Sequence, residues 1–203
     1  MLSTLSSNAI LSKARAMYGR CLTKENFKDL LACQSVGEVA AYLKSHTAYN
    51  KTLAGINEND IHRGQLESKL KQKLFEDYAS LCRYEISVGE HFSQYLIMRS
   101  EIEQILHSIL LLEAGKPEEY IFAMPMYLNR HTHINLSALS QIKSYSDLLN
   151  ALSHTPYYKL LEKFKPVTGV PINYTGIENA LYTYLFKSVF DVIDKYTRGE
   201  TAK

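Results

Sequence analysis

The chain has 203 residues, of which 46% are hydrophobic and 22% charged, as in an ordinary globular protein of one large or two small domains. Lysine and arginine number 23 against 21 acidic residues, which gives a net charge of +2. Such a small positive charge does not indicate binding to nucleic acid or anionic lipid. No uncharged apolar run approaches the roughly 18 residues of a membrane span, and residues 1–11 lack the pattern of a signal peptide. Cys21, Cys33 and Cys82 are odd in number and match no zinc or CxxC spacing, so we expect reduced thiols in a cytosolic chain.

The sequence predicts an all-α fold. Nine glycines and five prolines leave long uninterrupted segments, in which apolar residues recur at steps of three and four. In the first part of the chain, Thr23 and Ser35 are typical of helix N-caps. Glu38 follows Ser35 by three residues and completes the sequence pattern of a capping box. We therefore expect two short helices here, each opened by a side-chain cap.

Two long helices follow. The first carries an apolar stripe over residues 66–81, and the second carries one over residues 92–112. The second helix is expected to stop at Gly115, because a glycine followed shortly by a proline is a common helix end. Further along, Asn135 is expected to open another short helix over residues 136–142.

An internal repeat relates the two halves of the chain. Residues 18–43 align without a gap on residues 127–152, at an offset of 109, and residues 66–75 align on residues 177–186 at an offset of 111. The first alignment pairs identical residues: Tyr18 with Tyr127, Thr23 with Thr132, Asn26 with Asn135, Leu30 with Leu139, Ser35 with Ser144 and Leu43 with Leu152. The capping-box pattern is kept in the second copy, where Asp147 aligns with Glu38 and follows Ser144 by three residues. Self-similarity at a fixed period predicts repeated helical bundles.

The repeat defines two expected bundles, residues 1–124 and residues 125–203, joined near residues 124–129. The second bundle is expected to be incomplete, because the counterpart of the helix at 92–113 would begin only near the last residue. We therefore expect either a longer parent protein or a second chain that covers the apolar stripe at 174–198. A homodimer or a domain swap would be the simplest arrangement.

Four segments carry the pattern of a known family: Lys13–Arg20, Leu22-Thr23, Arg99–Ile105 and Gly115-Lys116. Together they resemble the C subunit of the bacterial and archaeal V-type (A-type) ATPases, whose eukaryotic counterpart is the d subunit. The resemblance covers essentially the whole chain and rests on helix patterns, not on a catalytic signature. This sequence has Gln104 where the family commonly has asparagine.

The resemblance implies a non-catalytic rotor subunit without a cofactor. The family fold is a funnel of three similar helical bundles that sits on the membrane ring of proteolipid subunits and receives the foot of the shaft made by the D and F subunits. Such a protein lies in the cytoplasm, peripheral to the inner (plasma) membrane. It couples ATP hydrolysis or synthesis to proton or sodium transport.

Candidate partner-binding residues are Arg99, Glu101, Gln104 and Lys116. Arg99 and Gln104 lie away from the apolar stripe of their helix, so they should face solvent or a partner. The alternative interpretation is a solvated face with local ion pairs of little energetic value. The resemblance to the ATPase rotor protein is what favours partner contacts.

The sequence offers little that suggests catalysis. His131 and His133 could chelate a metal only if two further ligands came from elsewhere, so a polar loop before a helix is the favoured interpretation. No histidine has a glutamate three residues before it, and no phosphate-binding loop or Gly-x-Ser-x-Gly elbow is present. Two alternatives stay open: a helical-repeat scaffold with an unrelated partner, and a metal-dependent hydrolase.

Two further features have structural interpretations. The run Tyr120–Leu128 is apolar but contains a proline, and we expect it to form a buried connector between the bundles. Tyr49 and Tyr157 occupy matching positions in the two repeats, each after a Ser-His-Thr sequence. We expect both tyrosines to anchor the following segment on the core.

Overall fold

A computed structural model describes residues 2–84, 89–167 and 169–196. All regular structure in these residues is helical, which confirms the all-α prediction. In the first half of the chain the helices are α1 (Leu2–Tyr18), α2 (Lys24–Ala32), α3 (Val36–His46), α4 (Arg63–Cys82) and α5 (Gly89–Glu113). The caps and apolar stripes of the sequence predict α2 to α5, whereas α1 is not among the predicted helices. No helix in the described part of the chain is long and apolar enough to cross a membrane.

The described residues of the second half form four short helices and one long one. The short helices are α6 (Tyr120–Ala123), α7 (Leu136–Leu139), α8 (Tyr145–Ala151) and α9 (Tyr157–Leu161), and the long helix is α10 (Tyr174–Tyr196). Three 3-10 turns accompany them, at Pro117–Glu119, Met126–Arg130 and Glu162–Phe164. The predicted cap at Asn135 is confirmed, since its side chain accepts a hydrogen bond from the Ala138 N–H at 3.0 Å. The helix that it opens ends at Leu139, sooner than expected.

The chain divides into two compact units, residues 1–90 and residues 91–203. This division differs from the repeat boundary at 124/125, which stays a prediction. In the first unit, helices α1 and α3 pack beside α4. The buried core of this unit consists of Ala40, Leu43, Leu53, Ile61 and Leu66.

The core of the second unit is larger. From α5 it receives Ile102, Ile105 and Ile109, all without exposed surface, which confirms that the predicted stripe faces a core. From α10 it receives Ile177, Leu181 and Leu185. The expectation that the α10 stripe lacks cover is therefore wrong for this part of the helix, because its first three turns pack inside their own unit. Farther along α10, the side chains of Phe186 and Phe190 are exposed, and residues 197 and 198 of the predicted stripe lie outside the described residues.

Helix α5 ends where the sequence predicted. Gly115 has a φ of 70°, the left-handed conformation that glycine adopts without strain. The Lys116 N–H donates to the Leu111 carbonyl at 2.9 Å and the Gly115 N–H to the Leu112 carbonyl at 3.1 Å. These two bonds form a Schellman motif and satisfy carbonyls at the end of α5.

The run Tyr120–Leu128 is only partly the buried connector that we expected. Tyr120, Pro125 and Leu128 are buried, whereas Ile121, Phe122 and Met126 are exposed. The expectation was wrong for these three because short helical turns put successive side chains on different sides, so an apolar run cannot be buried as a whole.

The caps of α3 and α8 have the same geometry. Ser35 Oγ accepts from the Glu38 N–H and Ser144 Oγ accepts from the Asp147 N–H, both at 3.1 Å. In each case the acidic side chain accepts from the backbone N–H just before the cap residue, at 2.7 Å from Gln34 and 3.1 Å from Lys143. The predicted capping boxes are thus present, with the return hydrogen bond shifted by one residue.

We expect Ser144→Ala to lower the free energy of unfolding by about 1 kcal/mol at neutral pH, the usual cost of losing an N-cap side chain. The hydrogen bond from the Ser144 hydroxyl, together with the Lys143 N–H, holds the pKa of Asp147 below its ordinary value. The stabilisation that these hydrogen bonds give to the ionised Asp147 is therefore present above the ordinary pKa of aspartate. It is lost as the pH falls through the lowered pKa. Urea denaturation at neutral pH and in acid should show the cost of Ser144→Ala shrinking in acid. A pH-independent cost would contradict this.

Candidate interaction site

The four candidate partner-binding residues lie on α5 or just after it, but they occupy different environments. Arg99 is on the surface, and its Nε lies 3.2 Å from Glu103 Oε1 one turn along the helix. Hydrogen bonds with Tyr95 and Glu103 raise the pKa of the Arg99 guanidinium. An exposed i,i+4 ion pair of this kind contributes only a few tenths of a kcal/mol, about 0.3–0.5. Arg99 is thus placed where a partner could reach it.

Gln104 and Lys116 have local partners. Gln104 is half-buried, and its Oε1 accepts a hydrogen bond from the Tyr120 hydroxyl at 3.0 Å. Tyr120 is completely buried, and this burial raises the pKa of its phenol, so the hydroxyl stays a donor. Lys116 follows the end of α5 and forms an exposed ion pair with Glu119 at 3.0 Å. The structure therefore does not gather the candidate residues into one cluster.

Glu101 is buried, contrary to what a residue on a partner-facing surface requires. The residue is only 1% exposed. One carboxylate oxygen accepts hydrogen bonds from the Thr132 hydroxyl at 2.9 Å and from the His133 N–H at 2.5 Å. The other accepts from the Tyr157 hydroxyl at 2.6 Å. The carboxylate is therefore occupied inside the second unit and is not available at its surface.

Histidine and tyrosine complete the surroundings of this carboxylate. Nδ1 of His133 lies 3.3 Å from the same oxygen that accepts the backbone N–H. Tyr157 has no exposed surface, and its ring packs edge-on against Tyr184 with the centroids 6.1 Å apart. Burial, the charge of Glu101 and the hydrogen bond between them all raise the pKa of the Tyr157 phenol. The phenol therefore stays protonated and keeps its role as donor.

These contacts join distant parts of the chain. Thr132 and His133 precede α7 and lie 31 and 32 residues from Glu101, and Tyr157 begins α9, 56 residues away. A buried carboxylate with several charge-assisted hydrogen bonds fixes the position of its neighbours because each donor would be costly to leave unpaired. Glu101 thus positions α5 against the segments that begin α7 and α9.

Of the residues around this carboxylate, Tyr157 and His133 lie in the environments that the sequence predicts, and Glu101 does not. The expectation that Tyr157 anchors its segment on the core is confirmed. His133 lies in the loop before α7, as expected, and contributes its backbone N–H to Glu101. Within the described ranges, no group of three or more potential metal ligands occurs. The sequence did not predict that Glu101 is buried. The feature that could have indicated it is the position of Glu101 directly before Ile102, at the edge of the apolar stripe.

Comparison with known proteins identifies the family. The profile of the family described as ATP synthase (C/AC39) subunit matches residues 10–203. Three curated relatives are C subunits of A-type ATP synthases. The one from Methanosarcina mazei is 27% identical over 91% of this chain, and the one from Methanosarcina acetivorans is 26% identical over 91%, each alignment covering 49% of the relative. The one from Methanosphaera stadtmanae is 24% identical over 87% of this chain and 43% of the relative.

The chain thus spans about half the length of the curated relatives that it matches. No solved structure matches it at a significant level. The family match nevertheless runs from within α1 to the last residue and includes all four of the resembling segments. The chain belongs to the ATP synthase (C/AC39) subunit family.

Proposed function

We propose that this chain acts as a non-catalytic rotor component, the C subunit of an A/V-type ATPase or ATP synthase. It would connect the D–F shaft to the membrane proteolipid ring and so couple ATP hydrolysis or synthesis to proton or sodium transport. The observation that carries the proposal is the family match over residues 10–203. In this role the protein would lie in the cytoplasm, held at the inner membrane through the complex.

The helical structure suits a part that transmits torque. Helix α5 has 25 residues and α10 has 23, which corresponds to lengths of about 38 and 35 Å. The buried contacts of Glu101 hold α5 firmly within its unit. Charge-assisted hydrogen bonds are stronger than neutral ones, and those of Glu101 would suit α5 to carry the load of a rotating shaft.

We further propose that the two aligned regions are repeats of one bundle, with the boundary at 124/125, and that they correspond to bundles of a three-bundle funnel. The matching caps at Ser35 and Ser144 support this. The starts of α4 at Arg63 and α10 at Tyr174 also support it, because they differ by the same 111 positions as the sequence alignment.

Arg99, Gln104 and Lys116 are our candidates for contact with the shaft or the ring. They lie on or next to α5, and two of them carry exposed positive charge. Glu101 would act indirectly in this arrangement, since it positions the helix that presents Arg99 and Gln104. The exposed Phe186 and Phe190 on α10 are the candidates for a homodimer or a domain swap.

The test is co-elution of the chain with a purified D–F shaft on a sizing column. We expect a one-to-one complex that the charge reversals Arg99→Glu and Lys116→Glu together weaken. Lys163→Glu, which reverses an exposed charge in the turn after α9, should have no effect. A chimera that continues into the second half of the Methanosarcina mazei relative tests whether the remaining length adds contacts. If neither protein binds while both are folded, the helical-repeat scaffold becomes the leading interpretation.

A further inference from the structure

One side of α2 combines positive charge with large apolar residues. Lys24, Phe27, Lys28 and Leu31 follow the spacing i, i+3, i+4 and i+7, so they share one side of the helix. We refer to these four residues as the basic face of α2. All four are exposed, and Leu31 is 87% exposed. Charged and apolar groups are therefore presented together to whatever meets this face.

The acidic residues of α2 lie on a different side. Glu25 and Asp29 are offset from Lys24 and Lys28 by one residue each, which is about 100° around the helix axis. Asp29 is directed toward α3, where its Oδ2 accepts a hydrogen bond from the Tyr42 hydroxyl at 2.8 Å. Within the described ranges, no ion pair involves Lys24 or Lys28. The positive charge of the basic face is thus not neutralised by the chain itself.

Two arginines extend this positive charge beyond α2. Arg15 is in the last turn of α1 and Arg20 is in the connection that follows, and both are exposed. The Gly19 N–H donates to the Arg15 carbonyl at 2.9 Å, so the chain is still coiled between the two arginines. Arg20 precedes Lys24 by four residues, which limits the separation of their Cα atoms to about 14 Å. At physiological salt this is less than two Debye lengths of about 8 Å, so the cations attract an anionic surface together.

The projecting side chains favour a membrane over a folded protein as the partner. Tyr18 is 81% exposed and lies between the two arginines, and Leu31 projects at the other end of the surface. A partner protein would need a preformed pocket for each of these side chains. A fluid bilayer surface needs none, because its headgroups and chains adjust around tyrosine and apolar side chains. Anionic headgroups also attract lysine and arginine.

We propose that the first unit binds the surface of an anionic lipid membrane through the basic face of α2 together with Arg15, Tyr18 and Arg20. In this arrangement Phe27 and Leu31 enter the boundary between headgroups and acyl chains, and the cations contact the headgroups. The net charge of +2 does not reveal such a site, because a sum over the chain does not show where the cations gather. The inference depends neither on the proposed repeat nor on binding to the D–F shaft.

The experiment is sedimentation of the full chain with vesicles of phosphatidylcholine alone, or of equal parts phosphatidylcholine and phosphatidylglycerol. We expect binding to the mixed vesicles to be at least about tenfold tighter than to the neutral ones, and to weaken as salt is added. Lys24→Gln combined with Lys28→Gln should weaken binding to the mixed vesicles about thirtyfold, the expected effect of removing two cations from an anionic surface. Leu31→Ser should weaken it about fivefold through the lost apolar contact.

Lys163→Gln combined with Lys165→Gln is the matched control, because it removes two exposed lysines from the second unit. It should leave binding nearly unchanged, and circular dichroism verifies that every variant is folded. The proposal is overturned if the chain binds neutral vesicles as well as anionic ones, if both lysine pairs have the same effect, or if Leu31→Ser has none. A chain that binds polyglutamate but not the mixed vesicles would also overturn it and assign an acidic protein to this surface.

Discussion

Replacing Glu101 with alanine is expected to lower the free energy of unfolding by about 3–5 kcal/mol. The Thr132 hydroxyl, the His133 N–H and the Tyr157 hydroxyl all donate to this carboxylate. Because Tyr157 is completely buried, its hydroxyl would have no water to replace the lost acceptor. The cost therefore comes mainly from the donors left unpaired, with a smaller part from the cavity.

Urea denaturation followed by far-ultraviolet circular dichroism measures this cost. Glu101→Gln should fall between the original chain and Glu101→Ala, because the amide keeps one acceptor oxygen but turns an N–H₂ group toward a donor. Glu103→Ala on the same helix is the control. Its carboxylate forms an exposed ion pair with Arg99, so we expect a change of less than about 0.5 kcal/mol. Equal effects of Glu101→Ala and Glu103→Ala would show that the buried position of Glu101 is incorrect.

Replacing Gly37 with alanine is expected to lower the free energy of unfolding by about 1–3 kcal/mol, the range for overpacking a tight contact. A Cβ on Gly37 would lie 2.5 Å from the backbone carbonyl oxygen of Glu58. The loop that carries this carbonyl cannot easily recede. Lys44 of α3 donates to the Ile56 carbonyl at 3.2 Å and to the Glu58 carboxylate at 2.6 Å.

Gly64 provides a matched comparison, since it is the second residue of α4 as Gly37 is of α3. Nothing lies within 4 Å of a Cβ added at Gly64. Gly64→Ala should therefore raise the free energy of unfolding by about 0.4–1 kcal/mol, through the reduced entropy of the unfolded chain. Thermal and urea denaturation of the two variants should give changes of opposite sign. Stabilisation by Gly37→Ala would show that the Glu58 loop does not approach α3 this closely.

The local features of the fold were predictable from the sequence. The caps at Thr23, Ser35 and Ser144 and the stop at Gly115 all formed where the sequence placed them. A cap or a stop depends on residues within one turn of each other, so the sequence pattern contains nearly all of the interactions involved. The same holds for the apolar stripe of α5, because a period of 3.6 residues is a property of the helix itself.

The environment of the candidate site was not predictable in this way. The family resemblance places Glu101 with Arg99 and Lys116 among the partner-facing candidates, and carboxylates do lie mostly at protein surfaces. The donors to Glu101 come from segments 31 to 56 residues away, and no local pattern indicates that they meet it. The burial of Gln104 against Tyr120 has the same cause, since α6 approaches α5 only in the folded unit.

The sequence by itself therefore determined the all-α class, the helix caps and the family of this protein. Only the tertiary structure decided that Glu101 is internal, that α5 packs in the second unit, and that Phe27, Leu31 and Phe122 are exposed. The physical reason is the range of the interactions. Helix ends and stripes are fixed by neighbours along the chain, whereas burial depends on which distant segments are brought together.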